Sequence, residues 1–314
     1  MAPHLQRSAL LSLATLAGLL CAAPLAAAQT QAQKPPRTGA DVLAQAPAEH
    51  WCDVAPDNLL VMTLPQGRVL IELAERFAPQ HVANIRALAR NHYWDGLSVL
   101  RVQDNYVAQW GDPNDEDATK ARPKAGARAK LPAEFSLPLA GLPLTPLRDV
   151  DGWAPVAGHV EGFQVAANPQ SGRAWLAHCY GVVGAGRGDT VDSSTGAELY
   201  AMLTPARGLD LNITVVGRVL QGMHWLAALP RGTGAMGFYA SPEQHTTIQH
   251  IRLSSSLPEA ERPRLQVLRS DSSSWQEWLQ TRRQRGGWFV HSPGYVDLCS
   301  ASAPVREAPP TAQP

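Results

Sequence analysis

Two short apolar runs with polar residues set inside them constrain this chain more than any other stretch of its sequence. Leu97, Val99 and Val102, then Tyr106 and Val107, have the length and spacing of strands, and Asp95-Gly96 just before them is a turn signal. Arg101 and Gln109 stand within the same runs. Burying a guanidinium or an amide without partners costs roughly several kcal/mol, so such residues face solvent, or have a partner or a task. The pattern alone leaves these readings open.

The flanks carry more segments of strand length. Asn58–Leu64 and Arg68–Leu73, joined by Pro65-Gln66-Gly67, predict a hairpin. Ala78-Pro79 then opens a helix with Val82, Ile85 and Leu88 on one face and His81, Arg86 and Arg90 elsewhere. Ala174–Val183 predicts another strand and residues 246–253 a closing strand. Gly184-Ala185-Gly186-Arg187-Gly188 lacks the spacing of a dinucleotide loop, and no helix pattern follows it. Residues 114–174 read as an enlarged loop. Its acidic Asp115-Glu116-Asp117 lacks the spaced ligands of a calcium loop. The ten histidines include no zinc-binding spacing, and neither a metal nor a cofactor is expected.

The ends carry their own information. Arg7, the apolar run Ala9–Leu25 and Ala26-Ala27-Ala28 before Gln29 have the layout of a secretory signal peptide over residues 1–28. The protein is therefore expected in the periplasm or outside the cell, with Cys21 removed. Export permits disulfides. Cys52 and Cys299 flank the folded body in loop-like sequence, so a bridge is expected between them, with Cys179 a buried free thiol. Residues 29–56 read as a flexible lead-in and 57–255 as the main domain. Residues 256–300 read as an extension whose helix, carrying Trp275, Trp278 and Leu279, packs on that domain; 301–314 reads as a disordered tail. A formal net charge of zero gives no argument for nucleic acid or an anionic membrane as partner, and neither is expected. A monomer is expected, with no membrane contact after signal removal.

The order of polar residues in the central stretch resembles a known signature. Val99-Leu100-Arg101, Tyr106 and Gln109-Trp110-Gly111-Asp112-Pro113 are similar to the F-H-R, F, Q-G-G-D-P pattern of the cyclophilin-type peptidylprolyl isomerases. Gly67–Leu73, Ala78–Ile85, Ala197–Ala201, Leu209-Asp210 and Val215–Val219 resemble further family segments, and Gln221-Gly222-Met223 resembles one that opens a second helix. The resemblance implies a closed eight-stranded antiparallel barrel capped by two α-helices. The strand pattern is consistent with that fold but does not by itself separate a barrel from a sandwich.

The resemblance also implies rotation of X–Pro bonds in proline-containing polypeptide clients. Arg101 would donate to the twisted proline nitrogen, and Gln109 would orient Arg101 or bond a substrate carbonyl. Tyr106 joins them in the catalytic core. Val107, Ala185, Glu198, Tyr200 and Leu209 would bind substrate. Several outer contacts depart from the family. Glu198 replaces a Gln, Gly186 an Asn, Ile213 a His, and Gly208 a Trp; Tyr106 and Tyr200 replace phenylalanines. The alternative is a cyclophilin-like proline-peptide binding or chaperone module with weak or no catalysis.

Overall fold

The computed structural model describes residues 37–309. The predicted signal peptide, with Cys21, lies outside them. The described chain opens with helix α1 (Gly39–Ala44), capped by Thr38, and strand β1 (Trp51–Asp53). Much of the stretch expected as a flexible lead-in is thus ordered.

Strands β2 (Leu59–Leu64) and β3 (Gly67–Leu73) form the expected hairpin, and helix α2 spans Pro79–Arg90. Val82, Ile85 and Leu88 are buried, as their spacing predicts, but so is His81. His81 has a partner: Glu134 accepts from its Nδ1 at 2.7 Å and from the backbone N–H groups of Gln80 and His81, each at 3.0 Å. Ala78 offers no side-chain cap, so this carboxylate satisfies the free N–H groups at the helix start from across the chain.

Strands β4 (Ser98–Gln103) and β5 (Val107–Gly111) hold the central stretch. The segment expected as an enlarged loop instead folds into strands β6 (Leu137–Pro138), β7 (Thr145–Pro146), β8 (Val156–Val160), β9 (Phe163–Asn168) and β10 (Arg173–Leu176). They form one antiparallel sheet in the order β6-β10-β9-β8-β7. The single strand expected over 174–183 is two, since β10 ends at Leu176 and β11 covers Val182–Ala185. Then come β12 (Leu199–Met202), β13 (Val215–Gln221), helix α3 (Met223–Ala227), β14 (Thr246–Thr247) and β15 (His250–Leu253). Gly222 precedes α3 at φ +85°, and a Cβ there would meet the Arg68 backbone oxygen, so glycine is required.

The main sheet is antiparallel with nine strands, in the order β14-β4-β5-β12-β11-β13-β3-β2-β15. This corrects the expected closed eight-stranded barrel. The ends of the curled sheet are β14, which pairs only with β4, and β15, which pairs only with β2. Between them the chain passes from one edge to the other: Ile248 N donates to Leu97 O at 2.7 Å, and Gln249 N to Thr63 O at 2.9 Å. Inside the sheet, Leu60, Ile71, Val99, Trp110, Val183 and Leu199 form a core, capped by Ile85 and Leu88 of α2 and Leu226 of α3.

A second core lies on the sheet's other face. It joins Val107, Tyr200 and Met202 to Phe163, Val165 and Leu176 of the inserted sheet. Helix α4 (Ser273–Arg283) adds Trp275, Trp278 and Leu279 to this core, so the extension packs largely against the insert. Strand β16 (Leu265–Leu268) pairs with β1 and with β17 (Val305–Glu307), which orders part of the predicted tail.

The predicted Cys52–Cys299 bridge is not formed. Cys299 is bonded to Cys179, and Cys52 is a free, exposed cysteine on β1. The pairing depends on where the insert places the β10–β11 loop, which no local pattern encodes.

Candidate active site

Arg101 and Gln109 face each other as register partners on β4 and β5. The β4–β5 ladder shifts register between Val99 and Arg101, and such a bulge re-aims the side chain that follows. Three bonds hold the guanidinium. Nε donates to Met236 O at 2.6 Å, Nη1 to Gln109 Oε1 at 2.9 Å, and Nη2 to Gln103 Oε1. Tyr106 and Phe238 lie on either side, each ring centroid 5.4 Å from Cζ. A guanidinium carries five N–H groups, so three engaged leave two free. Burial pulls its pKa below the ordinary arginine value, yet arginine's high intrinsic pKa keeps it charged.

Gln109 extends the chain of bonds. Its carbonyl oxygen is taken by Arg101 and its amide N–H donates to Glu198, which stands just before β12. Burial raises the Glu198 pKa, with Asp115 and Glu116 adding to the rise; Gln109 donation and the Arg101 charge oppose it. The carboxylate therefore fixes the outer end of the Arg101–Gln109 pair.

Beside this polar row runs an apolar surface. Val107 and Tyr200 are buried in the second core, with Tyr106, Leu209 and Ile213 packed at its edge. Tyr200 crosses over Gly184, where any Cβ would meet its ring. The added hydroxyl needs a partner in this buried position. His178 supplies it: Nε2 lies 3.1 Å from the Tyr200 hydroxyl, and the rings stack with centroids 6.5 Å apart. The other ring nitrogen lies 3.2 Å from Asp210, which also takes Arg207 Nε at 2.7 Å. Burial works against the Asp210 charge, but His178 and Arg207 hold the carboxyl below its usual range.

Arg101, Gln109, Tyr106, Val107, Glu198, Tyr200 and Leu209 are thus collected on one face of the sheet. Ala185 is not. It is fully buried in the inner core beside Val183, while Gly184 and Gly186 line the outer face against Tyr200 and Glu198. Strand alternation explains this, since side chains at 183 and 185 share a face opposite to 184. Reading that alternation from Val183 would have corrected the assignment. Three contributors carried no sequence signal for this role. Met236 and Phe238 lie 135 residues or more from Arg101 along the chain, and His178 is adjacent to a cysteine in an apolar run.

The site therefore offers a guanidinium held by three acceptors, with N–H groups to spare, beside an apolar face. Residues 59–253 match the family described as cyclophilin type peptidyl-prolyl cis-trans isomerase/CLD. A probable peptidyl-prolyl cis-trans isomerase from Brucella suis is 27% identical over 186 residues, 57% of this chain and 75% of that protein. The counterpart in Brucella abortus is 26% identical over the same shares. The crystal structure of cyclophilin AquaCyp293 from Hirschia baltica superposes with a TM-score of 0.67 at 24% identity, covering 87% of this chain and 99% of that one. The chain belongs to the cyclophilin-type peptidyl-prolyl cis-trans isomerase family.

Proposed function

We propose that the protein accelerates rotation about X–Pro bonds in exported polypeptides, without a covalent intermediate. Rotation must overcome about 18–20 kcal/mol of amide resonance. Twisting the bond makes the proline nitrogen pyramidal and more basic. A fixed N–H donor then binds the twisted state more strongly than either planar isomer, which lowers the barrier. The observation that carries this reading is the Arg101 guanidinium, held on three sides with two N–H groups left over. Tyr106, Val107 and Leu209 supply the apolar surface for the proline ring, and Gln109 fixes the donor's plane. A proline-peptide isomerisation assay tests the proposal. No acceleration over the uncatalysed rate returns the chain to the binding-module reading.

Phe238 has a positioning role on this reading, since its ring and the Met236 carbonyl hold Arg101 from the side away from Gln109. A cation–π contact contributes about 0.5–2 kcal/mol. Phe238→Ala should therefore lower kcat/KM by about 2- to 30-fold, mostly in kcat, and Phe238→Trp should restore it. Wild-type kinetics in Phe238→Ala would remove the ring from the account.

Export is supported by the signal-like N-terminus and by the Cys179–Cys299 bridge, which suits an oxidising compartment. Expressed in a bacterial host, the mature protein should appear in the periplasmic or secreted fraction with Gln29 at or near its N-terminus. A cytoplasmic product that retains residues 1–28 would contradict this. The isomerase is expected to act as a monomer, with unfolded, proline-containing chains as clients.

A further inference from the structure

Beyond α4 the chain makes a loop, residues 284–296, whose base is pinned and whose tip is not covered. At the base, Arg283 is buried and bonded to Asp149, with Nε to Oδ2 at 2.7 Å. The Tyr295 hydroxyl donates to Val150 O at 2.5 Å, and Ser292 bridges Arg285 N and Arg283 O. At the tip, Trp288, Phe289 and Val290 follow one another; Trp288 is 88% and Val290 104% exposed. The neighbouring loop adds Val150 and Trp153, also exposed. Large apolar residues gathered this way on an isolated chain mark an interaction surface.

A cavity of about 390 Å³ opens between this loop and the end of α4, lined by Arg282, Arg285, Phe289, His291, Tyr295 and Asp297 among others. Arg282 rests on Trp278 with Cζ 5.1 Å from the ring centroid, and Arg285 on Phe289 at 4.8 Å. Neither guanidinium donates a hydrogen bond within the described residues, and Arg282 Nε is buried without a partner. Burial and the nearby Arg285 charge both depress the Arg282 pKa, which is the environment an anion would relieve.

The acidic groups nearby are committed elsewhere. Asp149 is taken by Arg283, Asp151 by Arg207, and Asp297 accepts from Cys299 N and Ser300 N. Residues 284–296 contain no Asp or Glu, and Arg148 of the neighbouring loop is exposed. Arg148, Arg282 and Arg285 thus have no carboxylate partner among the described residues, although Asp297 also lines the cavity.

We propose that it docks on an anionic phospholipid surface. A headgroup phosphate sits in the cavity between Arg282, Arg285 and His291, while Trp288, Phe289 and Val290 enter the boundary between headgroups and acyl chains. A projecting Trp-Phe-Val tip with arginines behind it has the chemistry of that boundary, where the amphipathic indole and the snorkelling guanidinium both find partners. The expectation of no membrane contact rested on net charge, which is blind to local distribution. None of the cavity or tip residues is among those that hold Arg101, so docking and isomerisation can be tested separately.

The test is co-sedimentation of the purified protein with phosphatidylcholine vesicles and with mixed phosphatidylcholine–phosphatidylglycerol vesicles. Each surface arginine contributes about a few-fold to binding, so Arg282→Ala/Arg285→Ala should weaken association with the mixed vesicles by about tenfold or more. Trp288→Ser/Val290→Ser should weaken it as strongly, and both variants should isomerise a proline peptide at the wild-type rate. Equal sedimentation with both vesicle types, or undiminished binding of the arginine variant, would overturn the proposal. So would a titration in which inorganic phosphate binds while no vesicle does, since that result marks a small-anion site.

Discussion

Arg101→Ala is expected to lower kcat/KM for a proline peptide by about 100- to 1000-fold. Removing one preorganised donor aimed at a developing lone pair costs about 2.7–4 kcal/mol at comparable sites. The loss should fall on kcat, because the planar peptide has little lone-pair density for the guanidinium to meet. KM should change little while Val107, Tyr106 and Leu209 keep the proline ring in place. Arg101→Lys should recover only a small part of the rate. An ammonium keeps the charge but cannot hold Met236 O, Gln109 and Gln103 in one plane while presenting further donors. Steady-state kinetics on the three proteins, with melting curves as a folding control, checks this. A loss confined to KM would assign Arg101 to binding alone.

Breaking the Cys179–Cys299 bridge should lower stability by about 2–4 kcal/mol, the usual range for a native disulfide. At roughly 2–4 °C per kcal/mol for a chain of this size, Cys299→Ser should melt about 4–16 °C below the wild type. The bridge closes a separation of 120 residues, which in the chain-entropy account restricts the unfolded state strongly. It also ties the turn at Leu298–Ser300 to the loop that carries His178. Since His178 holds the Tyr200 hydroxyl, the same variant should lose some isomerase activity at temperatures where it remains folded. Reductant should reproduce the shift in the wild type. Alkylation of the unreduced protein should label Cys52 and leave Cys179 and Cys299 blocked. A melting point indifferent to reductant, or a protected Cys52, would contradict the observed connectivity.

The sequence was most informative where structure is local. The hairpin of β2 and β3 and the apolar face of α2 follow from periodicity and spacing within a few residues, whereas the Arg101–Gln109 pair was legible only through the family signature that contains it. The inserted sheet was hidden because two of its strands are dipeptides containing proline, Leu137–Pro138 and Thr145–Pro146, which read as loop. The groups that complete the site were hidden for a different reason. Phe238 reaches Arg101, and Cys179 reaches Cys299, only after the sheet has curled and the insert has docked. Neither contact leaves a periodic trace. Glu198 was legible as a departure from the family, but its use was not: the carboxylate fixes Gln109, which in turn fixes Arg101.

The most direct measurement is two-dimensional exchange NMR on a proline peptide with wild type and Arg101→Ala, which separates binding from rotation. The account predicts fast cis–trans exchange with the wild type. With the variant it predicts chemical-shift changes that still report binding, at a similar Kd, but exchange close to the uncatalysed rate. Exchange at the wild-type rate in Arg101→Ala would show that the guanidinium is not the catalytic donor.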